Sequence, residues 1–186
     1  MEDPYFFGYG SLVNLSTHSY CNPKPAGLSG WRRIWLNTYM RYAAFLSAYP
    51  VEGNEIDGII AQVPDADWAA LDARETGYDR LDATDQILIG KERPADCAVY
   101  VVPRSRETNT GQKSPILLSY LDVVLQGFMQ IYGNDGPDHF FETTDGWDRP
   151  VKNDRHAPVY PRYRQLKETE QQHVDALLLE HNIETI

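Results

Sequence analysis

The sequence predicts an α+β domain. Three observations carry that expectation: an aromatic run, Tyr5-Phe6-Phe7, that ends in Gly8-Tyr9-Gly10; an extended stretch rich in Trp, Tyr, Ile and Phe from Trp31 to Tyr49; and a strongly apolar helix that opens at Ser114-Pro115. Strands, a short helix, more strands and a helix then follow one another along one chain, the order of an α+β domain. The 186 residues fit a single domain, 1–186, large enough to bury a core without disulfide or metal staples.

Aromatic residues at 5–7 suit a half-buried pleated surface. Glycine just past such a strand marks a tight turn or a close backbone approach to a ligand, and consecutive N–H groups in a turn of this kind can hold an anion. The third glycine of a dinucleotide fingerprint is missing, and no Gly-Lys-Ser/Thr follows. From the pattern alone, an ordinary strand exit is the simpler explanation. A polar loop is expected at Asn22-Pro23-Lys24-Pro25, and two strands, or one with a bulge, from Trp31 to Tyr49. A turn is expected at Gly53-Asn54 and a strand from Ile56 to Val63.

The next segment, Asp65 to Thr76, reads as a short helix capped by Asp65 and stopped by Gly77. Strands are expected at Tyr78 to Leu81, Gln86 to Gly90 and Cys97 to Val102, and a polar loop from Arg104 to Lys113. Ser114 as N-cap and Pro115 as first helical residue open a helix that runs to Tyr132 and ends at Gly133. Its polar stripe, Ser119, Asp122, Gln126 and Gln130, is so thin that the helix should be largely buried. Residues 134–164 read as irregular. A last helix, 167–182, presents Val174, Leu177 and Leu178.

A formal charge of −10 argues against a nucleic-acid partner, which needs a positive surface. Cys21 and Cys97 match no zinc spacing and no disulfide framework. Met1-Glu2-Asp3-Pro4 lacks the basic and apolar regions of a signal peptide, and no apolar run approaches a membrane span. A cytoplasmic protein with no membrane partner is therefore expected, and a monomer. Asn14-Leu15-Ser16 matches a glycosylation acceptor, a chance match in such a protein.

One carboxylate sits on the wrong face. Position 75 lies two helical turns after position 68, so Glu75 projects with Trp68 toward the core. A carboxylate there must be paired, hydrogen-bonded or used. Burial and the negative end of the helix dipole both push its pKa upward, into the range of a general base. An ion pair with Arg74 or Arg80 explains the position equally well. The five histidines show no metal-ligand spacing, Asp135-Gly136-Pro137-Asp138-His139 reads as a turn, and Ser11 lacks a nucleophile elbow. Residues 149–167 form a basic island with Asp154 as its one acid. It reads as a solvated loop or, more sharply, as counter-charge for an anionic substrate through Arg155 and Arg162.

Taken together, Tyr9-Gly10-Ser11-Leu12, Asp72-Ala73-Arg74-Glu75-Thr76-Gly77-Tyr78-Asp79-Arg80, and Ser114-Pro115 with Tyr120 and Gly127 resemble the gamma-glutamylcyclotransferase-like family over residues 5–130. The resemblance implies a small mixed β-barrel with flanking helices. It implies a cavity where Tyr9, Gly10, Ser11 and Leu12 bind substrate through backbone N–H groups, Tyr120 contacts it, and Glu75 is the acid/base. The implied reaction cyclises a γ-glutamyl donor, a small molecule, to 5-oxoproline with release of an amino acid or amine. No metal or organic cofactor is implied. The alternative is a non-catalytic small-molecule binding module of the same fold.

Overall fold

The structure, a computed structural model, describes residues 3–90, 94, 96–109 and 111–186. Met1 and Glu2 of the N-terminal reading and Thr110 of the polar loop lie outside these residues.

Strand β1 (Tyr5–Gly8) is buried along its whole length. It lies between two partners: β3 (Arg41–Gln62), antiparallel with Phe7 opposite Ile60, and β6 (Cys97–Val101), parallel with Phe7 opposite Val99. A strand covered on both sides has no use for polar alternation, and the aromatic run supplies none. β2 (Cys21–Thr38) and β3 form one long hairpin that turns at Tyr39-Met40. Its register shifts between Cys21 and Lys24, Ser29 and Trp31, and Leu36 and Thr38. Each shift bends and twists the pair locally. With β4 (Asp79–Asp82), β5 (Ile87–Leu88) and β8 (Thr144–Asp145), the strands make a seven-stranded mixed sheet, ordered β4-β6-β1-β3-β2-β5 with β8 beside β2. The sheet curls into a half-barrel flanked by four helices.

α1 (Trp68–Arg74) is shorter than expected. Pro64–Ala66 forms a separate 3-10 turn with Asp65 in the left-handed region (φ 55), so Asp65 caps nothing. Asp67 caps the helix instead, its carboxylate accepting from Ala69 N at 3.2 Å. Asn22–Pro25 is not a loop but the start of β2, paired with the end of β3.

α2 (Leu118–Tyr132) is the central helix. All residues from Leu118 to Phe128 except Tyr120 are buried, the polar Ser119, Asp122 and Gln126 included. It ends at Gly133 (φ 75), as expected. Its start differs. Ile116–Leu117 is strand β7, paired in parallel with β9 (Val151–Lys152), and the Ser114 N–H is held by Asn37 Oδ1 at 2.9 Å. The cap comes from afar: Asp154 accepts from Ser119 N at 2.8 Å and from Ser119 Oγ at 2.6 Å. A local Ser-Pro signal has yielded to strand pairing and to an acceptor 35 residues away.

Residues 134–164 are not all irregular. α3 (Asp135–Glu142) places Gly136 and Pro137 in its first turn, where a missing N–H costs no helical bond. Arg155 ties the following segment to α2 and to α4 (Glu168–Glu180), through Asp122 at 2.7 Å and Asp175 at 2.7 Å. Among the described residues, no helix is long and apolar enough to cross a membrane.

Candidate active site

The turn after β1 is fixed from four directions. Arg33, wholly buried, donates from Nε to the Tyr9 carbonyl at 3.0 Å. Thr17 Oγ1 donates to the Ser11 carbonyl at 3.0 Å, and His18 Nε2 lies 2.9 Å from the Leu12 carbonyl. Asn14 clamps the loop to α2, donating to the Val123 carbonyl and to Gln126 Oε1, both at 2.9 Å. These contacts take up carbonyl oxygens, and no side chain caps the 3-10 turn Ser11–Val13 at its N–H end.

Two glycines permit this. A Cβ on Gly10 would lie 2.8 Å from Tyr120 Oη and 3.1 Å from Leu46 Cδ2. A Cβ on Gly127 would lie 2.6 Å from Asn14 N. Gly127→Ala should therefore push the loop off α2, lowering stability by about 1–3 kcal/mol. Urea unfolding of the two proteins side by side measures it.

A cavity of about 510 Å³ opens beside the loop. A smaller recess of about 30 Å³, lined by Gly8 to Leu12, Tyr78, Tyr100 and Tyr120, lies against the same Glu75. The larger volume falls in the range of small-molecule pockets, and the recess has room for about one water-sized group. Glu75 is the only carboxylate among the described residues lining either space.

Glu75 is the residue that ends α1, its N–H bonded to the Leu71 carbonyl at 2.9 Å. Leu71 and Trp68 carry the apolar stripe into a small core with Phe6, Leu12 and Tyr100. Where that stripe ends, the cavity begins, and Glu75 faces it. Burial raises the Glu75 pKa above the ordinary glutamate range, against the opposing fields of Arg74, Arg162 and Arg41. Arg74 is the ion-pair partner, Nε to Oε1 at 3.1 Å, and is itself held to Thr17 by two hydrogen bonds of 3.0 and 3.1 Å. Arg80 pairs with Asp72 instead.

Of the residues singled out in the sequence, Ser11, Glu75 and Tyr120 converge on the cavity. The Tyr120 hydroxyl lies against the turn, 2.8 Å from where a Cβ on Gly10 would sit. Tyr9 and Leu12 line the recess, the Tyr9 hydroxyl donating to the Tyr100 carbonyl at 2.6 Å and the Leu12 side chain packing in the small core. Arg162 lines the cavity, whereas Arg155 is occupied with Asp122 and Asp175. The outer wall also holds Lys152 of the basic island and Arg41, Tyr42 and Tyr160, the last three of which no local motif marks. The buried Arg33 went unmarked as well, since an arginine in a strand of mixed residues carries no local sign of burial. Among the described residues, no cluster of three His, Cys, Asp or Glu side chains could hold a metal ion.

A curled mixed sheet thus carries a glycine-containing turn and a single carboxylate beside a cavity of small-molecule size. The sequence profile of the family described as gamma-glutamyl cyclotransferase, AIG2-like, matches residues 6–119, and the chain belongs to that family. No curated protein matches the sequence significantly. Solved structures share its fold. One titled gamma-glutamyl cyclotransferase aligns over 94% of this chain and 99% of its own, with 13% identity and a TM-score of 0.61. An uncharacterized protein from Homo sapiens aligns over the same shares, with 14% identity and a TM-score of 0.60. YkqA from Bacillus subtilis aligns over 78% of this chain and 57% of its own, with 17% identity and a TM-score of 0.59.

Proposed function

We propose that the chain cyclises a γ-glutamyl donor to 5-oxoproline, releasing an amino acid or amine, with Glu75 as the acid/base. The observation that carries this reading is a lone, partly buried carboxylate of raised pKa facing a backbone-lined recess. In a γ-glutamyl compound the nucleophile is the donor's own α-amine, tethered to the carbonyl it attacks, which removes much of the entropic barrier. Glu75 takes a proton from the α-ammonium. The amine closes on the γ-carbonyl, and the oxyanion sits against N–H groups of the 9–12 turn. Glu75 then returns the proton to the departing nitrogen as the C–N bond breaks, and the ring nitrogen gives its surplus proton to the released amine. Tyr120 borders donor and turn together. No step calls for a nucleophilic side chain, which fits the absence of any triad in the described cavity wall.

The Arg74–Glu75 ion pair supports a second reading, a non-catalytic binding module in which Glu75 has a structural part. A panel of γ-glutamyl dipeptides, γ-glutamyl amines and glutathione separates the two. Release of 5-oxoproline from any member supports the enzyme. Calorimetric binding of donors by the folded protein with no release supports the module.

A further inference from the structure

The chain carries ten more acidic than basic side chains, yet its cavity wall has the opposite sign. Arg41 on β3, Lys152 on β9 and Arg162 beyond it line the space outside Glu75. None of the three is ion-paired to a described residue. Arg41 lies over the Phe45 ring at 5.1 Å and Lys152 Nζ over Tyr42 at 5.8 Å. Aromatic surface supports these two cations and leaves their charge uncompensated. Arg162 and Arg41 are near enough for their fields to reach Glu75, while Lys152 stands against Tyr42.

The basic segment divides cleanly by use. Arg149 donates to the Trp35 carbonyl at 2.8 Å and to Asn37, Arg155 is held by two aspartates, and Arg164 donates to Ser16. Lys152, Arg162 and Lys167 have no such task among the described residues, and the first two face the cavity. Both lie beyond residues 6–119, so these two cations, unlike Arg41, are not part of the matched family segment.

A charge count then restricts the ligand. Arg74 offsets Glu75, which leaves three cations. The γ-glutamyl half of a donor carries one ammonium and one carboxylate and is neutral as a whole. The positive excess therefore falls to the leaving half, and one carboxylate there would not offset it. We propose that Arg41, Lys152 and Arg162 select a donor whose leaving amine is a dicarboxylic amino acid, as in γ-glutamyl-glutamate. The inference rests on the cyclotransferase reading of the cavity. Guanidinium forks match carboxylates in a way that a neutral amide does not reproduce.

The test compares 5-oxoproline release from γ-glutamyl-glutamate and its near-isostere γ-glutamyl-glutamine, in the intact chain and in Arg162→Gln and Lys152→Gln. The expected result is a preference of about tenfold or more in kcat/KM for the dicarboxylate, expressed in KM, with the ratio falling toward one in both variants. Equal turnover of the two donors overturns the selection while leaving the cyclotransferase reading intact. Faster release from γ-glutamyl-O-phosphoserine than from γ-glutamyl-glutamate also overturns it, in favour of a phosphate. Release from no donor removes the cyclotransferase reading. Calorimetry with N-acetylglutamate and N-acetylglutamine then decides the wall alone: tighter binding of the dicarboxylate upholds its recognition, and equal or absent binding of the two overturns it.

Discussion

In Glu75→Gln, 5-oxoproline release should fall by about a hundred- to ten-thousand-fold, the usual contribution of a positioned general acid/base. The amide keeps the shape and loses the proton traffic. In the intact chain, kcat/KM should rise with pH through the Glu75 pKa, and this acid limb should lie above the ordinary glutamate range because burial outweighs the nearby arginines. Arg74→Gln removes the largest opposing field and should move the limb higher still. The stability effect has the opposite sign to the activity effect. Between the ordinary glutamate pKa and the raised one, the folded chain holds a proton that the unfolded chain has lost, so stability falls as pH rises through that window. Above it, ionised Glu75 weakens the fold, and Glu75→Gln should melt no lower than the intact chain. Thermal melts beside the assay distinguish lost chemistry from lost structure. A variant with full release would remove Glu75 from the mechanism.

Phe128→Ala should cost about 3–5 kcal/mol of stability, the range for truncating a fully buried aromatic. Phe128 is completely buried on α2, with Phe140 at 5.2 Å and Tyr132 at 5.9 Å between ring centroids. It also covers Arg33, whose guanidinium lies 4.9 Å from the Phe128 centroid and 4.9 Å from that of Phe140. Burial lowers the Arg33 pKa to about 9, still high enough to keep it charged at neutral pH. Removing one ring admits water to a cation that donates to the Tyr9 carbonyl. Donor binding should therefore weaken along with stability, and Phe128→Leu should restore much of both. Urea unfolding and KM for one donor, measured on all three proteins, check this.

How much was legible follows from where each signal resides. β1, the end of α2 at Gly133 and the placement of Glu75 were readable because aromatic runs, glycine stops and helical spacing are local. The start of α2 misled because Ser114-Pro115 is a good local opening that pairing with β9 overrides. α3 was hidden by Gly136 and Pro137, which suit a turn as well as the first turn of a helix. The basic island was legible as a charge cluster, with Arg162 marked and Arg155 marked beside it, but which of its cations face the cavity was not. Lys152, Tyr160 and Arg162 line it while Asp154 and Arg155 anchor their segment to α2, a contact between distant parts of the sequence.

The position of β1 has a kinetic consequence. β1 is made before both strands it pairs with, takes an interior place in the sheet, and waits some ninety residues for its parallel neighbour. The β2–β3 hairpin is local and can form early, but β1 has only one of its two edges covered until β6 arrives. Closing so long a loop precedes any reward from pairing, so assembly of this sheet is slow relative to the hairpin. Until then Tyr5-Phe6-Phe7 is an open, aromatic strand edge on a growing chain, the kind of segment that recruits other chains. The turn that follows waits longer still, because Asn14 finds Val123 and Gln126 only when α2 has been made. The recess beside Glu75 is thus among the last features to take shape, and partly folded chains carry the carboxylate without the backbone that faces it.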